Sequence, residues 1–159
     1  LTLINGQARL PVFATALMPP ARKETDMETH DYCCNLEEIR QIKFSFCRAV
    51  DRHDWNAVAD LWSEDGTADY GPNFGTFDGR ETIRAFYKQL LEDSANTTLH
   101  TAANPTIEIQ GETASGEWAM VTAIIQEGEA QQWSLGRYFE NYRRVDGKWK
   151  IQSMKSVMF

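Results

Sequence analysis

Apolar side chains begin to recur at helical spacing at Leu36. Leu36, Ile39, Ile42, Phe46, Ala49 and Val50 fall on one face of a predicted first helix. Asn35 stands where an N-cap is expected, and Glu37 and Glu38 suit the positive end of the helix dipole. Asp54 restarts a second helix with Trp55, Val58, Leu61 and Trp62 on one side, and Glu64-Asp65-Gly66 closes it. Residues 67–70 read as a short extended piece before the turn residues Gly71, Pro72, Asn73 and Gly75. Asp78 is placed to cap a third helix that shows Ile83, Phe86, Tyr87, Leu90 and Leu91 on one side and ends near Asp93-Ser94.

From residue 97 the period changes to two. Residues 97–109 are β-rich, and Asn104-Pro105 marks an edge strand or a bulge. Gln110-Gly111-Glu112 is a turn, and residues 117–125 form a strand with Trp118, Met120, Thr122 and Ile124 on one face. Residues 126–131 read as a loop. Residues 133–145 alternate up to Asp146-Gly147, the strongest hairpin signal in the chain, and residues 149–158 make the last strand. Helices gathered ahead of hairpin-linked strands predict an α+β fold, with three helices packed on a strongly curved, mostly antiparallel sheet. Such a cone-shaped α+β barrel has an open end suited to a ligand. Residues 1–31 carry Pro19-Pro20 and no sustained period. They are read as a flexible N-terminal extension or leader, and residues 32–159 as one domain.

A length of 159 residues accommodates one sizeable core. The net charge of −7 and pI of about 5.0, with scattered basic residues, argue against nucleic acid and anionic membrane surfaces as partners. The apolar run at residues 10–18 contains Pro11 and is too short to span a bilayer. Three cysteines, two of them adjacent, make no disulfide framework and no zinc-ligand spacing, so reduced thiols in the cytoplasm are expected. Cys47 reads as a small core residue. Asp65 and Asp69 lack a third ligand at suitable spacing, so no metal is expected.

Histidine is the side chain best suited to proton transfer near neutral pH, and the chain has three: His30, His53 and His100. His30 falls in the unpatterned leader and His53 in the link between two helices. His100 begins a strand whose alternate positions, Ala102 and Asn104, are small or polar, as a pocket wall requires. Asp51 lies one turn beyond Cys47, at the edge of an apolar stripe, where a carboxylate needs a partner. Tyr70 can donate to a ligand carbonyl. Arg137 and Tyr138 point to opposite faces of their strand, so one of them faces inward.

The motifs FCRAVDRHDWNAVADLWSEDGTADYG, FDGRETIRAFY, LHTAANPTIEIQGETASGEW and RYFENYRRVDGKWKI, in this order of elements, resemble the SnoaL-like branch of the nuclear-transport-factor-2 superfamily. Within it the nearest pattern is that of scytalone dehydratase and the bile-acid 7α-dehydratases. The resemblance implies that Asp51, at the end of the first helix, pairs with His100, and that Tyr70 belongs to the "Asp-Tyr" step formed here by Asp69-Tyr70. It favours Tyr138 over Arg137. It also shows departures: Val50 and Phe46 stand where members often carry Tyr, and no second His occurs near Ile125-Gln126. The implied activity is a cofactor-independent dehydratase acting on a hydrophobic cyclic hydroxy-ketone by His/Asp acid–base chemistry. Alternatives within the superfamily are an isomerase or polyketide cyclase, and a non-catalytic ligand-binding module or oxygenase small subunit. The expected catalytic residues are Asp51, His100 and Tyr70. Asn104, Tyr138, Phe46, Trp118, Met120 and Phe74 are expected to line the ligand site. A homodimer or homotrimer is expected through the outer sheet face, with Trp133 and Tyr142 in the contact.

Overall fold

The computed structural model describes residues 29–91, 97–125 and 132–159. Most of the predicted extension, the loop at residues 126–131 and the end of the third helix near Asp93-Ser94 lie outside the described residues.

Helix α1 (Thr29–Asp51) starts six residues before Asn35. Asn35 does not cap it. Its side chain is buried and accepts hydrogen bonds from Trp149 Nε1 at 3.1 Å and from the Arg144 guanidinium. Helix α2 (Trp55–Asp60) is capped as expected, with the Asp54 carboxylate accepting from the Ala57 N–H at 3.0 Å. It ends before Trp62, because the Leu61 carbonyl is taken by the Ile151 N–H at 2.9 Å. The chain therefore continues as strand β1 (Trp62–Asp69), and Glu64-Asp65-Gly66 lies in a strand rather than ending a helix. Strand β2 (Thr76–Asp78) pairs back on β1, so Asp78 ends a strand instead of capping the next helix. Gly79, at φ +87°, makes the turn into α3 (Arg80–Leu91).

Four long strands follow: β3 (Thr97–Gln110), β4 (Thr113–Ile125), β5 (Gln132–Val145) and β6 (Lys148–Met158). Asp146 and Gly147 both have positive φ, as the two-residue β5–β6 hairpin requires. The sheet order is β2-β1-β6-β5-β4-β3, antiparallel throughout except for the β1–β6 pair. Together these elements form the α+β architecture of three helices on a curved six-stranded sheet.

Two bulges decide which side chains face the helices. The register between β3 and β4 slips at Asn104-Pro105, so Thr98, His100 and Ala102 point inward before the bulge, and Ile107 and Ile109 after it. A second slip, at Gln152, moves the inward set of β6 from Trp149 and Ile151 to Met154 and Ser156. Gly136 belongs to the inward row of β5. A Cβ there would stand 2.2 Å from the Val157 carbonyl oxygen, so only glycine lets β6 pass.

The outer face exposes Leu99, Trp133, Leu135 and Phe159. Tyr142 is not among them: it points inward and is 1% exposed, which removes it from any contact through that face. No described helix is long and apolar enough to cross a membrane.

Candidate active site

Asp51 is the last residue of α1, and His100 sits on the edge strand β3 that α1 packs against. The Asp51 carboxylate is held by three donors. It accepts the His100 backbone N–H (3.1 and 3.0 Å to its two oxygens), the Thr98 hydroxyl at 3.0 Å, and His100 Nδ1 at 2.6 Å. The same carboxylate thus fixes both the backbone and the ring of His100. An ionised carboxylate only accepts, so Nδ1 is the donor in this contact, and in the neutral form of the ring the lone pair then lies on Nε2. Both side chains are largely buried, 16% exposed for His100 and 18% for Asp51.

His100 opens onto a cavity of about 230 Å³ between the sheet and helices α1 and α3. Its apolar walls include Val50, Phe74, Phe86, Leu90, Met120 and Ile124. Polar atoms come from Tyr70, Tyr87 and Tyr138, and from the hydroxyls of Thr98, Thr122, Ser134 and Ser156. No Lys, Arg, Asp or Glu side chain lines it among the described residues. The Tyr70 and Tyr87 hydroxyls are hydrogen-bonded to each other. Burial pushes the Tyr70, Tyr87 and Tyr138 phenols well above their ordinary range, so all three stay neutral near pH 7.

The structure therefore brings Asp51, His100, Tyr70, Tyr138, Met120 and Phe74 to one site. Three expected residues do not reach it. Asn104 falls at the β3 bulge with φ +48°, which turns it to solvent. Phe46 is 1% exposed and packs edge-on against Trp62 and Tyr87, in the layer behind the cavity wall. Trp118 is fully buried beneath the cavity and donates from Nε1 to the Tyr142 hydroxyl at 3.1 Å.

Beneath the cavity lies a polar network that the sequence reading missed. Lys43 Nζ reaches Glu140 Oε1 at 2.5 Å, with both side chains fully buried. The ammonium stands 3.3 Å from the Tyr138 ring centroid, and Glu140 also accepts from the Tyr142 hydroxyl. The signal was present: Lys43 falls within the apolar stripe of α1, and Glu140 alternates with Tyr138 and Tyr142. Two opposite charges, each alone on a buried face, are a pairing signature. Tyr87, Thr122, Ser134 and Ser156 were also missed, because a tyrosine in an apolar stripe and small hydroxyls on strands look like ordinary packing.

Cys47 is buried next to this network, and burial pushes its thiol up, which suits a core residue rather than a nucleophile. Among the described residues no three His, Cys, Asp or Glu side chains cluster as metal ligands would.

The SnoaL-like domain family matches residues 32–155. No protein of curated function matches the chain in sequence. Among solved structures, a scytalone dehydratase-like protein of Novosphingobium aromaticivorans is similar at 22% identity and a TM-score of 0.76, over 83% of this chain and 89% of that one. The LinA-type3 hexachlorocyclohexane dehydrochlorinase of Novosphingobium barchaimii is similar at 19% identity and a TM-score of 0.73, over 82% and 90%. A Mycobacterium tuberculosis protein of unknown function gives 17% and 0.75, over 86% and 78%. At these identities the likeness is one of fold.

Proposed function

The chain belongs to the SnoaL-like domain family, and from that premise we propose that its cavity is the active site of a cofactor-independent lyase, one that eliminates water or a comparable small leaving group from a compact, neutral cyclic substrate. The observation that carries the reading is the Asp51 carboxylate, which holds both the N–H and Nδ1 of His100 and leaves Nε2 as a base in an otherwise uncharged cavity.

His100 Nε2 takes the proton α to the substrate carbonyl, and the C–H electron pair moves into an enolate. Asp51 stabilises the imidazolium, and Tyr70 donates to the enolate oxygen as its charge grows. The enolate re-forms the carbonyl, the C–C double bond forms, and the β-hydroxyl departs with the proton from His100 as water. The imidazole ends neutral, ready for another turnover. The names of two structural neighbours, a scytalone dehydratase-like protein and a dehydrochlorinase, describe eliminations and support this class by analogy. A cavity of about 230 Å³ lies below the usual ligand-pocket range of roughly 300–1,000 Å³ and favours one or two rings.

His100→Ala tests the assignment. With a cyclic β-hydroxy-ketone that the wild type converts, the variant loses about 10²- to 10⁴-fold in turnover while keeping its circular dichroism spectrum. Unchanged turnover overturns the reading. An isomerase or cyclase would begin with the same proton abstraction, and its product would keep the oxygen that a lyase loses. Self-association is part of the proposal: Leu99 at 56%, Trp133 at 62% and Leu135 at 55% exposure form an apolar outer face suited to a second copy. A monomeric mass by light scattering would refute that.

A further inference from the structure

We infer that Tyr70 and Tyr87 together form a subsite for one acceptor oxygen of a neutral ligand, which makes Tyr87, on α3, a ligand-binding residue of the cavity. This deepens the lyase reading and rests on it for where the ligand lies.

Each phenol hydroxyl has one hydrogen to give. The contact between the two hydroxyls spends one of them, whichever tyrosine donates. The second hydrogen has no protein acceptor among the described residues. Tyr70 is 9% exposed and Tyr87 5%, so bulk water scarcely reaches the pair, and both line the cavity. A buried donor without a partner is costly, and a ligand oxygen that accepts from it removes the cost.

The pair is also held in place before any ligand arrives. The Tyr70 ring stacks on Phe86 at 5.0 Å and meets Tyr87 edge-on at 5.9 Å and 88°. Tyr87 meets Phe46 edge-on at 5.7 Å from behind. Little side-chain freedom remains to be lost on binding. The character of the ligand follows from charge. Burial keeps both phenols as neutral donors, and no Lys or Arg side chain lines the cavity among the described residues to offset an anion. A ketone or lactone oxygen fits, whereas a carboxylate or phosphate would enter uncompensated.

The test uses 1-tetralone, tetralin and 1-naphthoate as probes. They are titrated into the wild type, Tyr70→Phe, Tyr87→Phe and the double variant, and the carbonyl stretch of bound tetralone is read by infrared difference spectroscopy. Tetralone carries no leaving group, so its binding reports on the subsite whether or not His100 catalyses an elimination. In the wild type tetralone binds about tenfold more tightly than tetralin. Either single variant loses only a few-fold, because the remaining hydroxyl still donates. The double variant loses the whole advantage while its tetralin affinity stays the same. The carbonyl stretch, lowered in the wild type, returns in the double variant toward its value in hydrocarbon solvent. A ketone advantage that survives in the double variant overturns the inference, as does tighter binding of naphthoate or no binding of tetralone at millimolar concentration. Should the double variant fail to fold, an unshifted carbonyl stretch in the wild type has the same force.

Discussion

Replacing Lys43 by Met removes one member of a fully buried ion pair and leaves the Glu140 carboxylate under the cavity floor. What remains for Glu140 is the Tyr142 hydroxyl, since the 2.5 Å ammonium contact is gone. Breaking a buried pair from one side costs about 3–5 kcal/mol. At roughly 3 °C per kcal/mol for a domain of this size, the melting temperature should fall by about 9–15 °C. Lys43→Met/Glu140→Leu removes both charges. The Tyr142 hydroxyl then loses its acceptor, at about 1–3 kcal/mol, but still accepts from Trp118. The double variant should therefore lie within about 3 kcal/mol of the wild type and be more stable than Lys43→Met. The assay is urea unfolding of the wild type, both single variants and the double, analysed as a thermodynamic cycle. Two results would contradict a coupled buried pair: a Lys43→Met cost below about 1 kcal/mol, or a double-variant cost equal to the sum of the single ones. The first would mean that the charges are solvated, the second that they do not interact.

Three further expectations follow from other parts of the fold. Asp51→Asn offers an amide N–H to a ring that now receives only an acceptor, so Nδ1 should give up its hydrogen. The ¹⁵N shifts of His100 should show the Nε2–H tautomer, where the wild type shows Nδ1–H. Gly136→Ala pushes a methyl group to within 2.2 Å of the Val157 carbonyl oxygen, and unfolding should show a loss of about 2 kcal/mol or more. Burial raises the phenols of Tyr70, Tyr87, Tyr138 and Tyr142 in the folded state above the unfolded value of about 10. Above pH 10 the unfolded chain gives up these protons first, so stability should fall as pH rises. Phenolate absorbance near 295 nm from these four should appear together with unfolding.

The long strands and the α3 face were legible because alternation and helical spacing persist over many residues and turn signals bound them. The β3 bulge was legible from Asn104-Pro105, but its consequence was not. One slipped residue turned Asn104 to solvent and put Ile107 and Ile109 on the core face of the sheet. The boundary between α2 and β1 was misread because Val58, Leu61 and Trp62 have helical spacing over one turn only. Capture of the Leu61 carbonyl by β6 is a long-range event that no local pattern announces. Asn35 is a second case: the residue type fits a cap, yet Trp149 and Arg144 claim its side chain from across the fold.

The candidate site divides along the same line. The pairing of Asp51 with His100 was implied by the family resemblance, and the side chains meet at 2.6 Å. Phe46 and Trp118 have the residue types of a ligand wall, but depth separates wall from core, and depth is set by how α1 and the sheet close on each other. Tyr87 shows the reverse error: it shares the α3 stripe with the core residues Ile83 and Leu91, and only the hydroxyl of Tyr70 opposite gives it a different part.

The proposed role of His100 Nε2 is that of a base toward carbon acids bound in the cavity. Hydrogen–deuterium exchange at the α-carbon of 1-tetralone, followed by proton NMR in D₂O, tests it without knowledge of the natural substrate. Exchange above the buffer rate is expected with the wild type, falling to the buffer rate with His100→Ala. Equal exchange by both proteins, or none by the wild type under conditions where tetralone is bound, would contradict it.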